Sequence, residues 1–221
     1  MDSAGGQIQG ARRRQEDAFA VESVGEDGVL ALIADGLGGL PEGHIASREA
    51  IAEFARVFRE RAATQPVAPD QWLRESLTAA DAHLHRRQAE EPALAGMSTT
   101  LVAFYRRAQE AWALSVGDSY LMLLRNGVLY VLNELHREGS AVTSCLGIQL
   151  SQVHALGPIE IASGDRFLLA TDGITTLTEA SIKQCVASAA DAQGAVDPLL
   201  RAIEQAVQPY QDNVTVVALF A

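Results

Sequence analysis

The stretch "VLALIADGLGG", Val29 to Gly39, runs six apolar residues into an aspartate and then into four positions of which three are glycine. An apolar run of this length bounded by turn residues reads as a rigid strand with little contact with water. A second stretch, "FLLATDG" from Phe167 to Gly173, ends the same way. One Asp-Gly ending is ordinary turn chemistry. Two such endings suggest strand ends that carry a site.

Working outward, "DAFAVESV" (Asp17 to Val24) alternates loosely and precedes the first stretch across a Gly25 to Gly28 turn, so the two read as adjacent strands. From Ile45 the pattern changes, with Ile51, Phe54, Ala55 and Phe58 at helical spacing. The prolines of "TQPVAPD" stop that helix, and Asp70 is the expected N-cap of a second one, with Leu73, Leu77, Ala80 and Leu84 as its buried stripe. His83 and His85 read as part of a solvated helix face. From Ser98 the runs "STTLVAFY", "EAWALSVG", "SYLMLLRNG" and "VLYVLN" predict an antiparallel meander, with a hairpin at Asn126-Gly127. Then come "SQVHALG", "DRFLLATDG", helices over about Glu179 to Ala190 and Pro198 to Val207, and a last strand "NVTVVALF". Sheets with segregated helices define an α+β class. No linker divides the 221 residues, so one domain spanning 1–221 is expected, with a mobile start at 1–11.

The 17 basic and 28 acidic residues leave a net charge of −11, the wrong sign for neutralising nucleic-acid phosphates. Nucleic acid is excluded as a partner on that ground. Part of the excess can be a carboxylate cluster balanced by a cation that the count omits. Cys145 and Cys185 have no CxxC spacing and read as reduced thiols. The N-terminus lacks the apolar core of a secretory signal and no run is long enough to span a bilayer, so no membrane association, a cytoplasmic location and a monomer are expected.

Glu16, Asp17, Asp35, Asp118, Asp172 and Asp212 all adjoin apolar strands rather than lying on helix faces. If these strand ends converge, the like charges repel, and a divalent cation resolves the conflict. Oxygen ligands without His or Cys pairs favour Mg²⁺ or Mn²⁺ over zinc. Two such ions about 3.5 to 4 Å apart suit phosphoryl chemistry, where they clamp phosphate oxygens and acidify a shared water. Gly36 permits close backbone approach, and its carbonyl is a candidate ligand. Arg12, Arg13 and Arg14, just before the Glu16-Asp17 pair, can supply a guanidinium for a phosphate.

The order of these elements resembles the metal-dependent protein serine/threonine phosphatases of type 2C. "RRRQED" is similar to the family's Arg, two variable residues, Asn-Glu-Asp, with Arg12 in the arginine place and Gln15 in the asparagine place. "DGLGG", "EGHIAS", "MSTTLV", "VGDS", "LATDGI" and "QDNVTV" resemble its further motifs in family order, from Arg12 to Val217. The resemblance implies an αββα sandwich of two antiparallel sheets flanked by helices, with metals in a cleft at one end. It implies that Asp35 bridges two metals, that Asp172 and Asp212 complete one, and that the Gly36 carbonyl with Glu16-Asp17 completes the other, Asp17 being the preferred direct ligand. Asp118 with Asp172 matches the place of a third, weaker metal in bacterial-type relatives. Arg12 would bind the substrate phosphate and Asn213 would support Asp212.

The implied reaction is hydrolysis of phosphoserine and phosphothreonine in proteins by metal-bound hydroxide, without a phosphoenzyme. The implied partners are phosphoproteins and a bacterial serine/threonine kinase that opposes the enzyme. Two other readings stay open: a pseudophosphatase that binds phosphoproteins without turnover, and a small-molecule phosphohydrolase. The chain departs from the bacterial-type pattern at Leu40 (histidine expected), His44 (glutamate expected), Ser98 (glycine expected) and Leu135 (aspartate expected), none of them a proposed metal ligand. Water is the expected general acid, with His44 and His136 as alternatives. Only Arg137 to Cys145 stand where relatives carry a mobile flap, which predicts a short or absent flap and an open cleft.

Overall fold

The computed structural model describes residues 2–37, 42–64 and 68–221. Leu40, like Gly38 and Gly39, lies outside the described residues. Twelve strands fall mostly into two five-stranded antiparallel sheets. The first contains β2 (Asp17–Val24), β3 (Gly28–Asp35), β4 (Leu101–Arg107), β5 (Glu110–Val116) and β10 (His154–Glu160), in the order β10-β5-β4-β3-β2. The second contains β1 (Asp2–Ile8), β6 (Tyr120–Arg125), β7 (Val128–Val131), β11 (Arg166–Ala170) and β12 (Val214–Phe220), in the order β1-β12-β11-β6-β7. A two-residue pair, β8 (Arg137–Glu138) with β9 (Ala141–Val142), stands apart.

The strand period assigns the layers. In β3, Leu30, Leu32 and Ala34 pack with helices α1 (Gly43–Thr64) and α2 (Pro69–Glu90), whereas Ala31 and Ile33 pack with Leu121, Phe167, Val217 and Leu219 of the other sheet. Both faces of β3 are therefore buried, which is why its sequence is a continuous apolar run. On the far side, Leu168, Val216 and Ala218 cover helices α3 (Glu179–Ser188) and α4 (Ala192–Gln205) through Val186, Val196 and Leu199. The result is helices, sheet, sheet, helices, as the resemblance implied. Among the described residues no helix is long and apolar enough to cross a membrane.

Five expectations change. Residues 2–8 of the supposedly mobile start form β1, paired along its whole length with β12. "DSAGGQI" hides this because its glycines act by absence. A Cβ at Gly5 would meet the Phe19 ring at 2.4 Å, and one at Gly6 would meet Leu200 at 2.8 Å, so only glycine lets this edge strand tuck under its neighbours. The meander is divided, because β5 and β6 belong to different sheets and the chain crosses between them at Gly117 to Ser119. Ala68, not Asp70, is the N-cap of α2, with Pro69 in the first turn, where a missing N–H costs nothing. Helix α4 begins at Ala192, capped by Asp191, whose side chain accepts from Gly194 N at 2.7 Å, and so passes through Pro198. His83 is also not simply solvated: its Nε2 lies 2.8 Å from Glu49 Oε2, joining α2 to α1.

Phe104 of β4 and Phe167 of β11 meet between the sheets with ring centroids 4.7 Å apart, both without exposed surface. Phe104→Ala is expected to reduce stability by about 3 to 5 kcal/mol, measured by urea unfolding.

Candidate active site

Every strand that carries a proposed carboxylate presents it at the same end of the sandwich. Strand β2 begins at Asp17 and β3 ends at Asp35, and antiparallel register sets these two residues directly opposite each other. Both continue the face that carries Phe19, Ile33 and Ala31 into the space between the sheets, so their side chains converge rather than diverge. From the other sheet, Asp172 follows β11, Asp212 precedes β12 and Asp118 precedes β6.

A cavity of about 330 Å³ opens there, lined by Arg12, Asp35, Asp118, Asp172 and Asp212, with Leu37 and residues Ser140 to Val142 at its rim. Asp17 lies beneath, 2% exposed. The structure thus brings together Arg12 and the carboxylates of both sheets. Glu16 and Gly36 adjoin the cavity through their backbones: Gly36 N donates to Glu16 O at 3.2 Å. A Cβ at Gly36 would lie 2.3 Å from the Gly43 carbonyl oxygen and 2.7 Å from that of Glu16, so glycine is obligatory where α1 begins against β3.

Threonines hold the carboxylates in place, and the sequence reading assigned them no role. Asp35 N donates to Thr100 Oγ1 at 3.0 Å, and Asp35 O accepts from Thr100 N at 2.9 Å and Thr99 Oγ1 at 2.8 Å. Thr100 Oγ1 also lies 3.0 Å from Ser119 Oγ, linking the Asp35 strand end to the Asp118 turn. Thr171 Oγ1 donates to Asp17 Oδ2 at 2.9 Å, a hydrogen bond from one sheet to the other, and accepts from Thr215 N at 2.9 Å. The available signal was position: Ser119 and Thr171 adjoin Asp118 and Asp172 at their strand ends.

Asn213 fastens the N-terminal loop to this floor. Its Oδ1 accepts from Glu16 N at 2.9 Å, and its Nδ2 donates to Gln9 O at 2.7 Å and Arg14 O at 3.1 Å. Its backbone N donates to Asp212 Oδ1 at 2.8 Å. Gln15, in the place of the family's asparagine, donates to Ile8 O at 3.0 Å and accepts from Asp17 N at 3.0 Å. Arg12 is thereby aimed at the cavity, where it pairs with Asp212 Oδ2 at 2.5 Å.

The electrostatics show like charges crowded into a buried floor. Burial, followed by the charges of Asp17, Asp172 and Asp212, raises Asp35 well above the usual carboxylate range. Burial, with the charges of Asp212 and Asp172, pushes Asp17 up to about 7; burial, then Asp118 and Asp212, pushes Asp172 up to about 6. Asp118 is raised as well, chiefly by burial. Asp17 Oδ1 is buried with no hydrogen-bond partner. Among the described residues no three acidic, His or Cys side chains close into a finished ligand cage; like charges stay apart, and the Arg12 guanidinium provides a close countercharge. An unpartnered buried carboxylate oxygen in an all-oxygen donor set fits a hard divalent cation.

The two alternative acids are placed outside this chemistry. His136 is buried, accepts from Gly117 N at Nδ1, and is shifted below the ordinary histidine range by burial. His44 lies at the start of α1 beside Glu42 and Arg14. Neither lines the cavity.

Two antiparallel sheets ending in a shared carboxylate floor, with an arginine at the mouth, define the class of two-metal phosphatases. A family model described as Protein phosphatase 2C matches residues 7–214. The serine/threonine phosphatase stp of Listeria monocytogenes is 27% identical over 187 residues, covering 75% of this chain and 74% of that one. Among solved structures, the serine/threonine phosphatase MsPP of Mycobacterium smegmatis, in complex with cacodylate, superposes with a TM-score of 0.82 at 26% identity, covering 100% and 98% of the two chains. The catalytic domain of the phosphatase PstP in complex with two manganese ions shares the fold at TM-score 0.82 and 24% identity, covering 98% and 96%. The chain belongs to the protein phosphatase 2C family and is a metal-dependent serine/threonine protein phosphatase.

The raised carboxylates fix a pH dependence. In the metal-free protein folded Asp17 and Asp172 hold protons that the unfolded chain has released, so their contribution to stability is fully present below about pH 4 and is lost as pH rises through about 6 to 7. Thermal melts in chelator should show a lower Tm at pH 7.5 than at pH 5, and Mn²⁺ should raise Tm more at pH 7.5. A metal-free Tm that rises over this interval contradicts the electrostatic assignment.

Proposed function

We propose that Asp17, Asp35, Asp172 and Asp212 of this chain, with the Gly36 carbonyl and Glu16, hold two divalent cations, Mg²⁺ or Mn²⁺, and that Asp118 with Asp172 holds a weaker third. The observation that carries this is the opposed Asp17–Asp35 pair, with an unpartnered carboxylate oxygen on Asp17. Two divalent cations in such a floor supply Lewis acidity toward phosphoryl oxygens and make bound water acidic near neutral pH. Asp35, on the strand covered on both faces, is the bridging carboxylate. Arg12 presents parallel donors at the cavity mouth and receives the substrate phosphate once its guanidinium leaves Asp212. With neither His44 nor His136 at the cavity, the leaving alkoxide takes its proton from water.

Phosphoserine and phosphothreonine side chains of proteins are the substrates, and an opposing serine/threonine kinase supplies them. The cleft supports this: the segment after His136 is only the β8–β9 hairpin, whose Ser140 to Val142 rim the cavity without covering it. An apolar groove of about 330 Å³, lined by Met122, Leu129, Val131, Ile174 and Ile182, begins two residues beyond Asp172 and offers room for residues flanking a phosphorylated side chain. Residues 1–221 act as one catalytic unit, a cytoplasmic monomer in this reading.

With Mn²⁺ and a phosphothreonine peptide, Asp35→Asn is expected to lower kcat by about 10³-fold or more, and Arg12→Ala to lower kcat/KM by about 10²-fold. Stoichiometric Mn²⁺ binding by calorimetry should fall from two sites to one or none in Asp35→Asn and stay at two in Arg12→Ala. Unchanged turnover in Asp35→Asn would sink the assignment; tight phosphopeptide binding without phosphate release would replace it with the pseudophosphatase reading.

A further inference from the structure

At the opposite end of the first sheet lies a second cavity, of about 450 Å³, between the β2–β3 turn, the last turns of α1 and the start of α2. Val24, Gly28, Arg59, Trp72, Tyr105 and Arg107 line it. Two of these, Trp72 and Tyr105, are deeply buried aromatic side chains, and the first still has a hydrogen bond to give. Trp72 is 3% exposed, and its indole Nε1–H has no acceptor. Tyr105 is 2% exposed, and its hydroxyl faces Gly28, where a Cβ would lie 2.6 Å from it. Glycine keeps the cavity open at that point.

The cation in this cavity is also unspent. The Arg107 guanidinium carbon lies 5.7 Å from the Trp72 ring centre and 5.8 Å from that of Trp112, held over both indoles. Among the described residues no carboxylate pairs with it, whereas Arg59 beside it is tied to Glu22. Trp72 meets Tyr105 edge-on at 6.2 Å, and Tyr105 stacks with Trp112 at 6.3 Å, so the aromatic wall is continuous. A buried N–H without an acceptor is an unfavourable state that a bound acceptor relieves.

The geometry points to a binding site for a small planar monocarboxylate, its ring against Trp72 and Tyr105 and its carboxylate taking hydrogen bonds from Arg107 and the Trp72 indole. A single charge is required because Glu26 and Asp27 line the mouth of the same cavity and repel polyanions. The site is separate from the phosphatase centre. Arg59 and Gly43 stand 16 residues apart on α1, roughly 25 Å of helix, so the ligand does not compete with a phosphate ester.

The two tryptophans of the chain, Trp72 and Trp112, both border this region, so protein labelled with ¹⁵N at the indoles reports it with two Nε1–H signals. Sodium benzoate is the probe, with benzyl alcohol (ring without charge) and acetate (charge without ring) as controls; Trp72→Phe assigns the signals. Benzoate should shift the Trp72 signal saturably, and Arg107→Gln should weaken binding about tenfold with an unchanged circular dichroism spectrum in the free protein. Asp35→Asn should leave the affinity unaltered. Arg107→Lys serves as a second variant and should bind with intermediate affinity. No saturable shift, an equal response to either control, or full affinity in both Arg107 variants overturns the proposal.

Discussion

Asp17 and Asp35 face each other across a strand pair, in a space closed above and below by two sheets, and much of the structure can be traced to keeping them there. Left to themselves, two buried carboxylates separate or take up protons. Here the backbone of Asp35 is held by Thr99 and Thr100, and Asp17 is held by Thr171 from the other sheet. Removing freedom from the carboxylates keeps their mutual repulsion available as affinity for a cation. The same arrangement makes the metal-free fold less stable at neutral pH than it would be with neutral side chains, a cost often found at functional sites.

The sandwich supplies the rigidity that this requires. Strand β3 is covered by α1 and α2 on one face and by the second sheet on the other, so Asp35 sits at the end of an element with no solvent-facing side to relax into. Helix α1 starts against Gly36 with no room for a side chain between them. Asn213 then ties residues 9–16 to the floor, which places Arg12 at the mouth. Arg12 and the carboxylate floor thus share one set of supports, contributed by both sheets.

The short β8–β9 hairpin is where this chain differs most visibly from the pattern it resembles. Its residues Ser140 to Val142 reach the rim of the cavity. The buried His136 helps anchor the hairpin through its backbone and ring contacts with Gly117.

The apolar run before Asp35, the helical spacing of Ile51, Phe54 and Phe58, and the acidic residues at strand ends were legible in the sequence because each depends on local period and residue type. So was the motif order that identifies the family. Strand β1 was not legible, since Gly5 and Gly6 serve by leaving space for Phe19 and Leu200, residues far away in the chain. The division of the meander into two sheets at Gly117 to Ser119 was likewise invisible, because strand periodicity is the same whichever sheet a strand joins. Nor could the tie from Thr171 to Asp17 or from Asn213 to the N-terminal loop be read, as each joins residues more than 150 positions apart. Residue type and local period settle which side chains can carry charge at the strand ends; that the ends meet depends on the packing of one sheet on another, which no local pattern encodes.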